Sequence, residues 1–101
     1  MGYQDWEGKN GYVYILSNYK RNLFYVGVTS DLTVRIAEHK KNRASSYTTK
    51  YQLKYLLYYE EFTNIVDAIS REKQLKNWHR QWKINLIKEL NPSLKDLAFN
   101  L

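Results

Sequence analysis

Two runs of β-branched and aromatic residues, Tyr12-Val13-Tyr14-Ile15-Leu16 and Leu23-Phe24-Tyr25-Val26-Gly27-Val28, stand six residues apart near the start of the chain. The segment between them, Ser17-Asn18-Tyr19-Lys20-Arg21-Asn22, has turn chemistry, so the pattern predicts an antiparallel hairpin. Side chains alternate across a strand. Tyr12, Tyr14 and Leu16 therefore share one face, and Leu23, Tyr25 and Gly27 share one face of the second strand. In the register that pairs those faces, Tyr14 and Tyr25 are neighbours.

Thr29-Ser30-Asp31 supplies N-cap residues directly after the second strand, and Leu32 to about Lys41 reads as a helix. Leu32, Ile36 and His39 follow the i, i+4, i+7 rule, with Arg35 on the edge of the same stripe, so two polar side chains point inward. The stretch Lys40-Lys41-Asn42-Arg43-Ala44-Ser45-Ser46 is basic and loop-like, followed by Thr48-Thr49-Lys50, and is a candidate phosphate-contacting loop. Leu53 to Phe62 is read as a third strand. Asn64 then caps a helix from Ile65 to about Asn77, and a further helix runs from Trp78 or His79 to Leu90, with Trp82, Leu86 and Leu90 on one face, stopping before Asn91-Pro92. The fold class is α+β: a three-stranded antiparallel sheet flanked by about three helices.

A chain of 101 residues, 44% hydrophobic and 16% aromatic, has enough apolar side chain for one core. No repeat, linker or low-complexity tract interrupts it, so residues 1–101 are expected to form a single domain. There is no cysteine, which excludes disulfides and thiolate metal sites, and two histidines are too few for a histidine-rich zinc site. Met1 to Asn10 carries acids and amides where a signal peptide needs a continuous apolar stretch, and nowhere do roughly 18 apolar residues run together. A cytoplasmic setting without a membrane partner is the expectation. The formal net charge of +6 suits a polyanionic partner as well as a generally basic, soluble surface.

In the helix from Ile65, the apolar stripe of Ile65, Ala68 and Ile69 continues at Leu75, yet the i+7 position is Glu72. A carboxylate stands where a Leu is expected, and an unpaired buried charge is costly. Three accounts fit: pairing with an inward cation such as Arg35, ligation of a hard divalent metal, or a rotated helix that leaves Glu72 in solvent.

Taken together, Tyr12-Val13-Tyr14, Tyr25-Val26-Gly27, Arg35 and Glu72 resemble the motifs of the GIY-YIG nuclease superfamily. That superfamily includes homing endonucleases, some restriction enzymes and the N-terminal nuclease module of the bacterial excinuclease C subunit. The resemblance runs from residue 12 to about residue 92 and is strongest toward the small stand-alone bacterial type. It implies a metal-dependent endonuclease that hydrolyses phosphodiester bonds, with DNA favoured over RNA. By the same resemblance Tyr14, Tyr25, Arg35 and His39 are the catalytic candidates and Glu72 holds one Mg²⁺ or Mn²⁺. Phosphate contacts are expected from Lys40, Lys41 and Arg43, and from Lys76, Arg80 and Lys83 on the helices that follow.

The chemistry matches these residue types, since hydrolysis needs an activated water and charge relief on the phosphoryl oxygens. Tyr14 is the first choice as base or water-positioner, assisted by His39 or Tyr25. Two departures stand out. Tyr12 occupies the glycine position of the first motif, with Gly11 just before it, and Val28 stands where the excinuclease module often has lysine, which leaves the identity of the base open. A non-catalytic nucleic-acid-binding module is the alternative. A third reading is a partner-binding domain with a buried Arg35–Glu72 pair and an interface at Trp78 and Trp82.

Overall fold

The computed structural model describes residues 9–101, so the reading of the leading residues falls almost wholly outside it. The elements run β1 (Gly11–Ser17), β2 (Phe24–Thr29), α1 (Leu32–Lys40), α2 (Ser46–Lys50), β3 (Tyr55–Phe62), α3 (Ile65–Lys76), α4 (Arg80–Leu90) and a 3₁₀ turn at Leu97–Asn100. The three strands form one antiparallel sheet in the order β2-β1-β3.

Helices cover both faces of the central strand, and this is why β1 reads as a continuous apolar run. Val13, Ile15 and Val26 pack with Leu57, Tyr58, Ala68, Leu75 and Ile87, so α3 and α4 close one face. Tyr14 and Leu16 pack with Leu32, Ile36, Leu53 and Leu56 beneath α1 on the other. Each large side chain buried in this way contributes about 1.5–3 kcal/mol. Gly11 lets α3 sit directly on the start of β1, because a Cβ there would fall 2.7 Å from the Ile65 Cα.

Two local readings are corrected. Part of the expected loop after α1 is helical: Ser45 caps α2, its side chain accepting from the Thr48 N–H. On α4 the side buried against the core is that of Ile87, fully covered, followed one turn on by buried Asn91, while Trp82 and Leu90 are 53% and 73% exposed. On α3, Arg71 binds Glu60 of β3 through both Nε and Nη2.

The C-terminal segment closes the β3 side of the molecule. A bulge opposite Ile15 and Leu16 leaves Leu57 outside the strand pairing, and its carbonyl accepts from Asn91 Nδ2 at 3.0 Å. Asp96 accepts from the Leu56 N–H at 3.1 Å and pairs with Lys40 Nζ at the end of α1. Among the described residues, no helix is long and apolar enough to cross a membrane.

Candidate active site

The hairpin register places Tyr14 opposite Gly27 and Leu16 opposite Tyr25. A Cβ on Gly27 would lie 2.4 Å from the phenol carbon and oxygen of Tyr14, so the bare backbone of β2 is what makes room for that ring. Tyr14 is 1% exposed. Tyr25 sits two pairs along on the same face, with the ring centroids 6.4 Å apart, as the shared-face reading expects.

The amphipathic pattern of α1 supplies the next two groups. Asp31 caps the helix by accepting from the Val34 N–H, and burial of Leu32 and Ile36 carries His39 inward to 2% exposure. Its Nε2 lies 2.9 Å from Tyr14 Oη, and its ring is 5.9 Å from that of Tyr25. On its other side, Nδ1 lies 3.1 Å from Thr48 Oγ1 of α2. Arg35, half-buried beside Tyr14, pairs with Glu38 at 3.0 Å.

These surroundings decide protonation. Burial pushes the Tyr14 phenol up to about 12, outweighing the Arg35 guanidinium, which acts in the opposite sense. Burial, reinforced by the Arg35 charge, pushes the His39 imidazole down to about 4. Both groups are neutral at pH 7. Unfolded, His39 takes up its proton near 6.5, whereas folded it stays neutral until about 4. Its contribution to stability is therefore intact above about 6.5 and falls between the two values by at most about 3 kcal/mol. Urea unfolding of the wild type and His39→Gln at pH 7 and 4.5 should show a steeper acid loss in the wild type; parallel losses would mean that His39 is not held neutral.

Glu72 pairs within its own helix. Its side chain is 13% exposed and pairs with Lys76 Nζ of the same helix at 2.8 Å. The Arg35–Glu72 ion pair is not formed, because each residue pairs with a neighbour on its own helix. The donor set suits a hard cation: Glu72 offers carboxylate oxygen, and its partner is a half-exposed lysine on a flexible stem. Among the described residues, no three His, Asp or Glu side chains gather into a ready metal cage. Mg²⁺ commonly binds through one or two carboxylates with water and substrate phosphate.

The basic residues divide. Lys41 and Arg43 are exposed, and Arg43 borders a cavity of about 360 Å³ with Ser45, Ser46 and Thr49. Lys40 is held by Asp96 and lies over the Tyr55 ring, and Lys76 is held by Glu72. Arg80 and Lys83 line a cavity of about 240 Å³ with Leu23, Phe24 and Tyr47, at the start of β2. Arg80 also donates to the Asn22 carbonyl. Tyr47 of α2 and Tyr51, which caps its C-terminus, carry no signal in the sequence pattern. Tyr47 stands 6.2 Å from Tyr25 and 5.0 Å from Tyr51, ring to ring, extending the aromatic surface from the site.

The pattern of the GIY-YIG catalytic domain matches residues 10–85, which contain Tyr14, Tyr25, Arg35, His39 and Glu72 and every basic residue named above. The chain belongs to the GIY-YIG family. This GIY-YIG chain is 36% identical over 78 residues to a UPF0213 protein of Staphylococcus haemolyticus, covering 77% of this chain and 94% of the relative. It is 34% identical to a UPF0213 protein of Pediococcus pentosaceus, over 87% of this chain and 93% of that one. The solution NMR structure of a UPF0213 protein from Bacillus halodurans is similar in fold, with a TM-score of 0.55, 26% identity and coverage of 86% of this chain and 92% of that one. Family membership gives the chain a nuclease-type fold and, in general terms, nucleic acid as partner.

Proposed function

We propose that residues 1–101 form a single-domain, cytoplasmic, metal-dependent endonuclease that hydrolyses phosphodiester bonds, with DNA favoured over RNA. The observation that carries this reading is the buried 2.9 Å contact between Tyr14 Oη and His39 Nε2, set beside the Arg35 guanidinium in a GIY-YIG chain. A fold kept for binding alone has no use for a desolvated phenol–imidazole pair next to a cation.

With Tyr14 near 12, the free phenolate is too scarce at neutral pH to act as base by itself. The pair solves this by moving two protons together. As the oxygen of a water attacks phosphorus, its proton passes to Tyr14 Oη while the Tyr14 proton passes to His39 Nε2, and the bond to the leaving oxygen breaks, that oxygen taking a proton from solvent water. Arg35 holds the phosphoryl oxygens. The negative charge of the bound phosphate offsets Arg35, one of the two causes that hold His39 low, and so makes the imidazole a better acceptor in the complex than in the free protein. Glu72 would hold Mg²⁺ or Mn²⁺, which when bound relieves negative charge on the phosphoryl and leaving oxygens. Arg43, Lys41, Arg80 and Lys83 would contact the backbone of the bound nucleic acid; Lys40 and Lys76 would contribute after exchanging their present partners.

The test is incubation of the purified protein with labelled DNA and RNA, single-stranded, duplex and branched, with and without Mg²⁺ or Mn²⁺. Phe keeps the ring and its packing but removes the hydroxyl, so Tyr14→Phe should fold and lose far more activity than Tyr25→Phe. Equal, mild effects would show that neither phenol carries the proton. Binding without cleavage of any substrate would favour the non-catalytic module.

A further inference from the structure

Thr48 is a buried hydroxyl on the far side of His39, 3% exposed, that the proton transfer above does not touch. Three groups surround its Oγ1: His39 Nδ1 at 3.1 Å, Ser45 Oγ at 2.8 Å and the Ser45 carbonyl at 3.4 Å. A hydroxyl donates once and accepts twice, so the proton assignments of this cluster constrain one another.

The direction is set from the Tyr14 end. Among the described residues, the hydrogen-bond acceptor at Tyr14 Oη is His39 Nε2, and the adjacent Arg35 guanidinium has only N–H groups to offer. The Tyr14 proton therefore points to Nε2, and a neutral imidazole with a bare Nε2 carries its own proton on Nδ1. Thr48 Oγ1 accepts that proton and passes its own hydrogen to the Ser45 carbonyl, while its second lone pair takes the Ser45 hydroxyl. Ser45 Oγ in turn accepts from the Thr48 N–H at 3.1 Å. Every donor is used once. In the opposite assignment Thr48 donates to Nδ1, Nε2–H donates to Tyr14, and the buried phenol proton loses its acceptor.

We propose that Thr48 is a positioning residue: by accepting from His39 Nδ1–H, it holds the imidazole in the tautomer whose Nε2 takes the Tyr14 proton. The catalytic part of this inference rests on the nuclease reading, whereas the tautomer does not. The residue also explains why α2 is built where it is, since a five-residue helix with a serine cap brings one hydroxyl to the back of the imidazole.

The experiment is ¹⁵N NMR of the His39 ring at pH 7 in the full chain, alongside cleavage kinetics, for the wild type, Thr48→Val and Thr48→Ser. Valine keeps the branched shape and removes the hydroxyl. In the wild type Nδ1 should carry the proton and Nε2 should be bare. Thr48→Val should give a mixture of tautomers and a cleavage rate constant about 10- to 100-fold lower, with nucleic-acid affinity unchanged, and Thr48→Ser should restore both. A wild-type ring protonated on Nε2 overturns the proposal outright, even where Thr48→Val fails to fold. So does an unchanged tautomer in Thr48→Val. If the wild type cleaves no substrate, the nuclease reading is what fails, and the spectra still decide the role of Thr48.

Discussion

Arg35→Ala and Glu72→Ala should each lower cleavage by about 10²-fold or more while leaving affinity for nucleic acid largely intact, because each removes a charge contact that matters most in the transition state. The two losses should be separable by a second readout. The Arg35 charge holds His39 down and opposes the rise of Tyr14. Arg35→Ala should therefore move the His39 titration upward in the free protein, whereas Glu72→Ala should leave it in place. Glu72→Gln, which keeps the shape but not the charge, should abolish tight Mn²⁺ binding measured by titration calorimetry. Wild-type cleavage by either alanine variant would remove that residue from the site.

Gly27→Ala should be nearly as damaging, through geometry alone. The added methyl would stand 2.4 Å from the Tyr14 phenol, and that phenol is pinned by His39 on one side and the core on the other. Overpacking of this kind typically costs about 1–3 kcal/mol, and here the side chain forced to move is the one proposed to orient water. A displacement of about 1 Å at such a group is enough for a roughly 10²-fold loss in rate. Urea unfolding and single-turnover cleavage of Gly27→Ala, compared with Tyr14→Phe, test this. A stable, fully active Gly27→Ala would show that the ring has room to spare. The glycine of the Tyr25-Val26-Gly27 motif thus has a steric reason to be there, and it lies on the strand opposite the residue it serves.

Much of this arrangement was legible because it depends on local periodicity. Alternation in the hairpin put Tyr14 beside Tyr25, and the 3.6-residue repeat of α1 put His39 inside. The uninterrupted run at β1 also carried a signal of burial on both faces. What escaped notice depends on contacts between distant residues or on segments too short to show a period. Five residues rich in threonine give no helical repeat, so the sequence shows α2 as loop and Thr48 as part of a phosphate-contacting stretch rather than as a partner of His39. Apolar residues at 82, 84, 86, 87 and 90 offer α4 more than one possible inner face; packing against the core through Ile87 chose the one that leaves Trp82 outside. Lys40 looked like part of a solvated basic stretch, and its partner Asp96 lies 56 residues further on. The stripe shows Glu72 where a Leu is expected, and the nearer cation at i+4 is the one that meets it.

The Asn91 and Asp96 contacts with β3 bear on how the domain is best handled. An outer strand with free amide and carbonyl groups is a template for another chain, and a C-terminal segment that bonds to those groups reduces that opportunity. The family pattern ends at residue 85, before either of those side chains. A fragment trimmed to that boundary would keep every proposed reacting group, yet it would lose the core residue Ile87 and leave the Leu56 N–H and the bulged Leu57 carbonyl without these partners. Such a fragment invites strand-to-strand sticking in concentrated solution, so the last dozen or so residues act as a guard rail for the sheet.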